Sequence, residues 1–156
     1  MKVIIASDSK SVEFKNGIKE DLINKGYEVI DKTEGKEVDF YDASNLVCEA
    51  ILNKEGVRGI VVDEYGTGSF NVCAKHKYIV CAQVADEHSA KMTRDHNNTS
   101  IITMGSKVTS LEIGKRISEK FVSSEYSGGR HQIRVDMLNK WHRRKKKWLY
   151  QLDVTI

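Results

Sequence analysis

Proline is absent from all 156 residues, so nothing of that kind interrupts a helix or bars a strand from the middle of a sheet. Cysteine is scarce. Cys48, Cys73 and Cys81 are odd in number, lie inside apolar stretches and show no CxxC spacing, which argues against both a disulfide framework and a zinc site and leaves buried thiols as the expectation. No apolar run approaches the roughly 18 residues of a membrane span. The start, Met1-Lys2-Val3-Ile4-Ile5-Ala6, is too short and too soon polar for a signal peptide, so a cytoplasmic location is expected. No internal repeat and no low-complexity linker marks a second domain.

Charge of one sign is also in short supply. The formal net charge is +3, and Lys140 to Lys147, which reads Lys-Trp-His-Arg-Arg-Lys-Lys-Lys, carries more than that by itself. The remainder is slightly acidic. A nucleic-acid-binding domain spreads positive charge over a folded face, so this run reads as a solvated tail, with neither nucleic acid nor membrane as partner. The expected division is one domain over residues 1–140 and a basic tail over 141–156, to which no function is assigned.

What is present is alternation. Val3–Ala6, Tyr27–Ile30, Gly59–Val62, Tyr78–Val84 and Ser100–Met104 are short β-branched runs with helix-length stretches between them. Tyr41–Asn53 carries Ala43, Leu46, Val47, Ala50 and Ile51 on one helical face, with Gly56 as its expected terminator. Phe14, Ile18 and Leu22 mark an earlier helix ended by Gly26. A later one is predicted from about Ser106 to Phe121, with Gly114 leaving room for close packing, and a last one from near Arg130. Strands apolar on both faces and separated by helices predict a three-layer α/β/α fold around a five-stranded, mainly parallel, Rossmann-like sheet. Ligands in such folds sit at the carboxyl ends of the strands where the strand order reverses, which singles out the loops after strands one and three.

Three clusters of residues in those and neighbouring loops can carry chemistry. Asp8 follows strand one. Asp63-Glu64-Tyr65-Gly66-Thr67-Gly68-Ser69 follows strand three, and Gly66 and Gly68 let the backbone turn so that its N–H groups can face an anion. Taken alone, that loop is as well explained as a plain strand-to-helix connection. Arg94-Asp95-His96-Asn97-Asn98 precedes strand five. Gly128-Gly129-Arg130-His131-Gln132-Ile133-Arg134 places Arg130 and Arg134 on one helical face, a spacing suited to gripping a phosphate from two sides. His96 falls at the sheet edge opposite the Asp8 and Gly66 loops, about 17 Å away across a five-residue strand. A site that uses all three clusters must therefore lie between subunits.

These strings resemble the family that joins type B ribose-5-phosphate isomerase to the two subunits of galactose-6-phosphate isomerase. The likeness covers nearly all of residues 1–140. Within it, Glu34 to Phe40, Gly66 to Phe70, Met92 to Asn98, Ile102 to Ser106 and Gly128 to Asn139 are most similar to the A-type subunits of the galactose enzyme. The resemblance implies a metal-free and cofactor-free aldose–ketose isomerisation through an enediolate, acting on galactose 6-phosphate and tagatose 6-phosphate. It assigns ring opening to His96, the sugar hydroxyls or oxyanion to Asn97, and the phosphate to Arg130 and Arg134.

Two positions depart from the pattern. Where catalytic members open a Cys-Gly-Thr-Gly loop with a cysteine base, this chain has Asp63, Glu64 and Tyr65, and the family's Asp-His pair appears as Asp8-Ser9. Cys73 falls too far along the next helix to substitute. The resemblance thus implies a hetero-oligomer built from dimers, in which a B-type subunit supplies the cysteine base and this chain's own loop is a degenerate pocket. Three other readings remain open at this stage. One is a homo-oligomer with Asp63 as base, another a sugar-phosphate-binding protein without catalysis. The third is a receiver-like signalling domain, for which the expected lysine after strand five is at best Lys107.

Overall fold

In the computed structural model, residues 1–141 are described, and the expectation for the rest of the basic tail lies outside them. Five strands form one parallel sheet: β1 (Lys2–Ser7), β2 (Glu28–Asp31), β3 (Arg58–Asp63), β4 (Cys81–Gln83) and β5 (Ile101–Gly105), in the order β2-β1-β3-β5-β4. The connecting helices are α1 (Val12–Asn24), α2 (Phe40–Leu52), α3 (Thr67–Cys73), α4 (Glu87–Asn97), α5 (Leu111–Ser123) and α6 (Gln132–Trp141). Among the described residues no helix is long and apolar enough to cross a membrane.

The pleat sorts the core into two layers. Val3 and Ile5 of β1, with Ile60, Val62, Ile102 and Met104, pack under α1, α4 and α5 through Phe14, Ile18, Leu22, Ala90, Ile117 and Phe121. Ile4 and Ala6, alternating with them along the same strand, join Val61 and Ile101 under α2 and α3 through Ala43, Val47, Cys48 and Cys73. This is the expected three-layer α/β/α arrangement. Gly114 does what its spacing implied, since a Cβ there would stand 2.5 Å from the Phe14 ring.

Three boundaries differ from expectation. Strand four is short because Tyr78 has φ +68°, a left-handed conformation that no ladder accommodates. The helix expected from Ser106 starts at Leu111. Residues 106–109 instead form a turn, with the N–H groups of Val108 and Thr109 both donating to the Gly105 carbonyl, and Ser110 caps the helix. The helix α2 is closed by Lys54 at φ +62° and not by Gly56, whose missing side chain makes room for Ile4 instead.

At the carboxyl end of the sheet, Lys15 is fully buried and pairs with the equally buried Asp31 at 2.7 Å. Lys19 and the backbone N–H of Thr33 also donate to Asp31. The strand order reverses between β1 and β3, and there the Asp8 N–H donates to the Val62 carbonyl at 3.1 Å, bringing the ends of both strands together.

Candidate active site

At that reversal lies a cleft of about 260 Å³ lined by Asp8, Phe40, Asp63, Glu64, Tyr65, Thr67 and Gly68. Gly66 turns the loop at φ +80°, with its Cα against the Met104 backbone where a Cβ would come within 2.9 Å. Three of the loop amides turn inward. Asp63 Oδ1 accepts from the N–H groups of Tyr65 (3.0 Å) and Gly66, and Oδ2 from the N–H and hydroxyl of Ser69, both at 2.9 Å. The anion gathered by this loop is thus the chain's own buried carboxylate. One oxygen of Asp8 is buried with no partner among the described residues.

Glu64 adds a second internal anion. Lys10, from the loop after β1, reaches it at 2.9 Å, and Lys107, from the turn after β5, closes on its other oxygen. Hydrogen bonds from Lys107 and then Lys10 hold the Glu64 carboxyl below its ordinary range. The cleft is therefore lined by three carboxylates, and the two lysines nearest it are already paired. Cys73, in the same loop–helix segment, is fully buried against α2 and takes no part in the cleft.

The second group of residues assembles at the opposite sheet edge, where α4 ends. Asn98 takes the left-handed cap position at φ +53°. Arg94, buried, turns back along the helix end and donates to Asn98 Oδ1 at 2.6 Å and to the Thr99 carbonyl at 3.0 Å. Burial and the neighbouring Arg58 guanidinium bring the pKa of Arg94 down to about 10, which leaves it charged at neutral pH. Thr93 and Thr99 share a 2.6 Å hydroxyl contact across the same bend. This bracing leaves His96 half-exposed, with the Asp95 carboxylate 3.9 Å from Nε2, and Asn97 exposed.

The carboxyl-terminal segment is tied to this helix end. The Ser127 N–H donates to the Asp95 carbonyl at 3.1 Å and its hydroxyl to the Asp95 carboxylate. Gly128 and Gly129, both at positive φ, then turn the chain into a 3-10 turn, Gly129–His131, that leads into α6. The result sets the His131 ring on His96, with centroids 4.3 Å apart and planes 11° from parallel. Arg130 and Arg134 stand exposed beside the pair, and neither makes an ion pair among the described residues. Loss of hydration, then the neighbouring His96 and Arg130, lower the pKa of His131.

The structure thus gathers His96, Asn97, Arg130 and Arg134 into one exposed group, and Asp8, Gly66 and Gly68 into another at the carboxyl ends of β1 and β3. Sequence reading passed over His131, Phe40 and the Lys10–Glu64–Lys107 triangle. The glycine pair was the signal available for His131, because a chain reversal there returns whatever follows onto α4. Among the described residues no three His, Cys, Asp or Glu side chains converge as a metal site requires.

Residues 3–138 match the model of the family described as Ribose/Galactose Isomerase. The chain is 46% identical over 140 residues to galactose-6-phosphate isomerase subunit LacA of Clostridium acetobutylicum, covering 90% of this chain and 99% of that one. It is 49% identical over 140 residues to the subunit of the same name from Staphylococcus aureus, with the same coverage. Among solved structures, ribose-5-phosphate isomerase B of Clostridium thermocellum superimposes with a TM-score of 0.89 at 32% identity, covering 94% of this chain and all of that one. The Mycoplasma genitalium enzyme with bound ribulose-5-phosphate gives 0.85 at 26% identity, covering 92% and 97%.

Proposed function

Because the chain belongs to the Ribose/Galactose Isomerase family, we propose that it works as an A-type subunit of a galactose-6-phosphate isomerase. The reaction interconverts D-galactose 6-phosphate and D-tagatose 6-phosphate in an active site shared between subunits. His96 protonates the ring oxygen to open the sugar, Asn97 steadies the hydroxyls or the oxyanion that develops on the enediolate, and Arg130 and Arg134 hold the phosphate. The base that moves the proton between C1 and C2 is a cysteine of a B-type subunit, whose glycine loop faces this group of residues.

One observation carries this reading: the acceptor capacity of the Asp63 carboxylate is spent on its own loop. A base must reach a substrate carbon with a free lone pair, and Asp63 has its oxygens turned inward onto four donors. A self-sufficient homo-oligomer with Asp63 as base is disfavoured for that reason. The Asp8 and Asp63 carboxylates of the cleft also repel a phosphate dianion, while Arg130 and Arg134, which make no ion pair among the described residues, attract one.

Apolar exposure supports an assembly of several chains. Phe40 and Tyr65 stand out around the cleft, and Ile133, Met137 and Leu138 are at least half exposed on α6 beside the arginines. Mixing experiments test the proposal. The purified chain alone should not turn over galactose 6-phosphate, and adding a B-type subunit should restore turnover that His96→Ala abolishes. Full activity of the single chain would refute it, and substrate binding without turnover in the mixture would favour a sugar-phosphate-binding protein instead.

A further inference from the structure

His131 has no part in the chemistry given above to its neighbours, yet it is the best-placed side chain in the group. Its ring lies face to face with His96 at 4.3 Å. The stack is built from both sides: the bonds from Ser127 to Asp95 fix where the segment starts, and Gly128 and Gly129, both at positive φ, turn it back toward α4. Two imidazoles at this distance take up protons as a coupled pair, because a charge on one opposes a charge on the other.

The charged groups around the pair are unequally shared. Asp95, on α4, lies 3.9 Å from His96. Arg130 and Arg134 lie on the segment that carries His131, and both disfavour a proton there, as does the loss of hydration. Asp95 pulls the other way on His131, and the balance of these effects lowers its affinity for a proton.

We propose that His131 is a positioning residue for His96: its ring, stacked face to face at 4.3 Å, fixes the plane of the imidazole that delivers the proton to the sugar. The inference rests on the assignment of ring opening to His96. In that step the bond between C1 and the ring oxygen breaks and its electron pair goes to the ring oxygen, which takes the proton from His96. The C1 hydroxyl loses its proton to water as C1 becomes the aldehyde. A second cation stacked on His96 would weaken its hold on that proton before substrate arrives, and an unstacked ring would deliver it from the wrong plane.

Two measurements test this. Nitrogen-15 NMR titration of the imidazoles in the full chain should show His96 and His131 titrating as a coupled pair, and His96 as a single independent site in His131→Phe. In the complex with a B-type subunit, His131→Ala should lower kcat about 10-fold, less than the roughly 100-fold or more that a general acid–base group itself contributes. His131→Phe, which keeps a flat ring but no proton, should recover most of that loss and convert a two-step acid limb of kcat into a one-step limb. An unchanged kcat in His131→Ala, while His96→Ala is inactive, overturns the inference and leaves the role of His96 standing. Activity that survives His96→Ala sinks the ring-opening assignment itself. A loss in His131→Ala that phenylalanine does not restore, with the His96 titration unaltered, assigns His131 to the fold of α6 and also overturns the inference.

Discussion

Replacing Asp63 by asparagine separates a structural carboxylate from a catalytic one. The amide keeps one acceptor oxygen and turns the other into a donor. Its least costly orientation leaves the oxygen toward Tyr65 and Gly66 and points the NH2 at the Ser69 hydroxyl, which can accept. The Ser69 N–H is then stranded, in a residue with no exposure at all. An unsatisfied buried donor costs about 1–3 kcal/mol, and the remaining bonds fall from charge-assisted to neutral strength, roughly another 1 kcal/mol each. A total of about 5 kcal/mol is expected. For a chain of this size that is a fall in Tm of about 10–20 °C. Thermal unfolding of the single chain followed by circular dichroism checks it. A catalytic base predicts the opposite pattern, with Tm nearly unchanged and activity of the mixed complex lost by about 100-fold or more. A variant that melts within about 2 °C of the parent would refute the reasoning.

The buried Lys15–Asp31 pair predicts that Lys15→Met destabilises the chain by about 3 kcal/mol, because Asp31 loses its shorter lysine contact and keeps only the longer one from Lys19 beside its bond from the Thr33 N–H; urea unfolding at neutral pH measures it, and a neutral or stabilising result would refute it. Glu64 predicts a pH effect of defined sign. Its folded pKa lies below the ordinary 4.5, so what the carboxylate contributes to stability is present above that value and is lost as pH falls through the folded one. Wild type should therefore melt above Glu64→Gln at pH 6 and converge with it near pH 3, and a gap that widens on acidification contradicts the assignment.

The helices and strands were legible because each rests on periodicity local to its own residues. Phe14, Ile18 and Leu22 repeat on one face of α1 and are all buried, and the alternating residues of β1 feed two core layers as their pattern required. Where expectation slipped, a local competitor had taken over. Ser110 offered a better helix cap than any earlier residue, and Tyr78 adopted a conformation that its side chain gave no reason to expect. Gly66 was read correctly as a turn residue, whereas Gly68 lies in the first turn of α3. What that turn holds was not legible, since the ligand of its amides proved to be the residue at the end of the preceding strand.

The amino-acid sequence by itself determined the layered sheet, the placing of Asp8 and Asp63 at its carboxyl edge and of His96 at the other, because strand length and direction set those distances whatever the side chains do. Only the tertiary structure decided that Asp63 is consumed by its own loop and that His131 covers His96. Those two facts depend on which way side chains turn once remote segments meet, and no periodicity along a single chain carries that information.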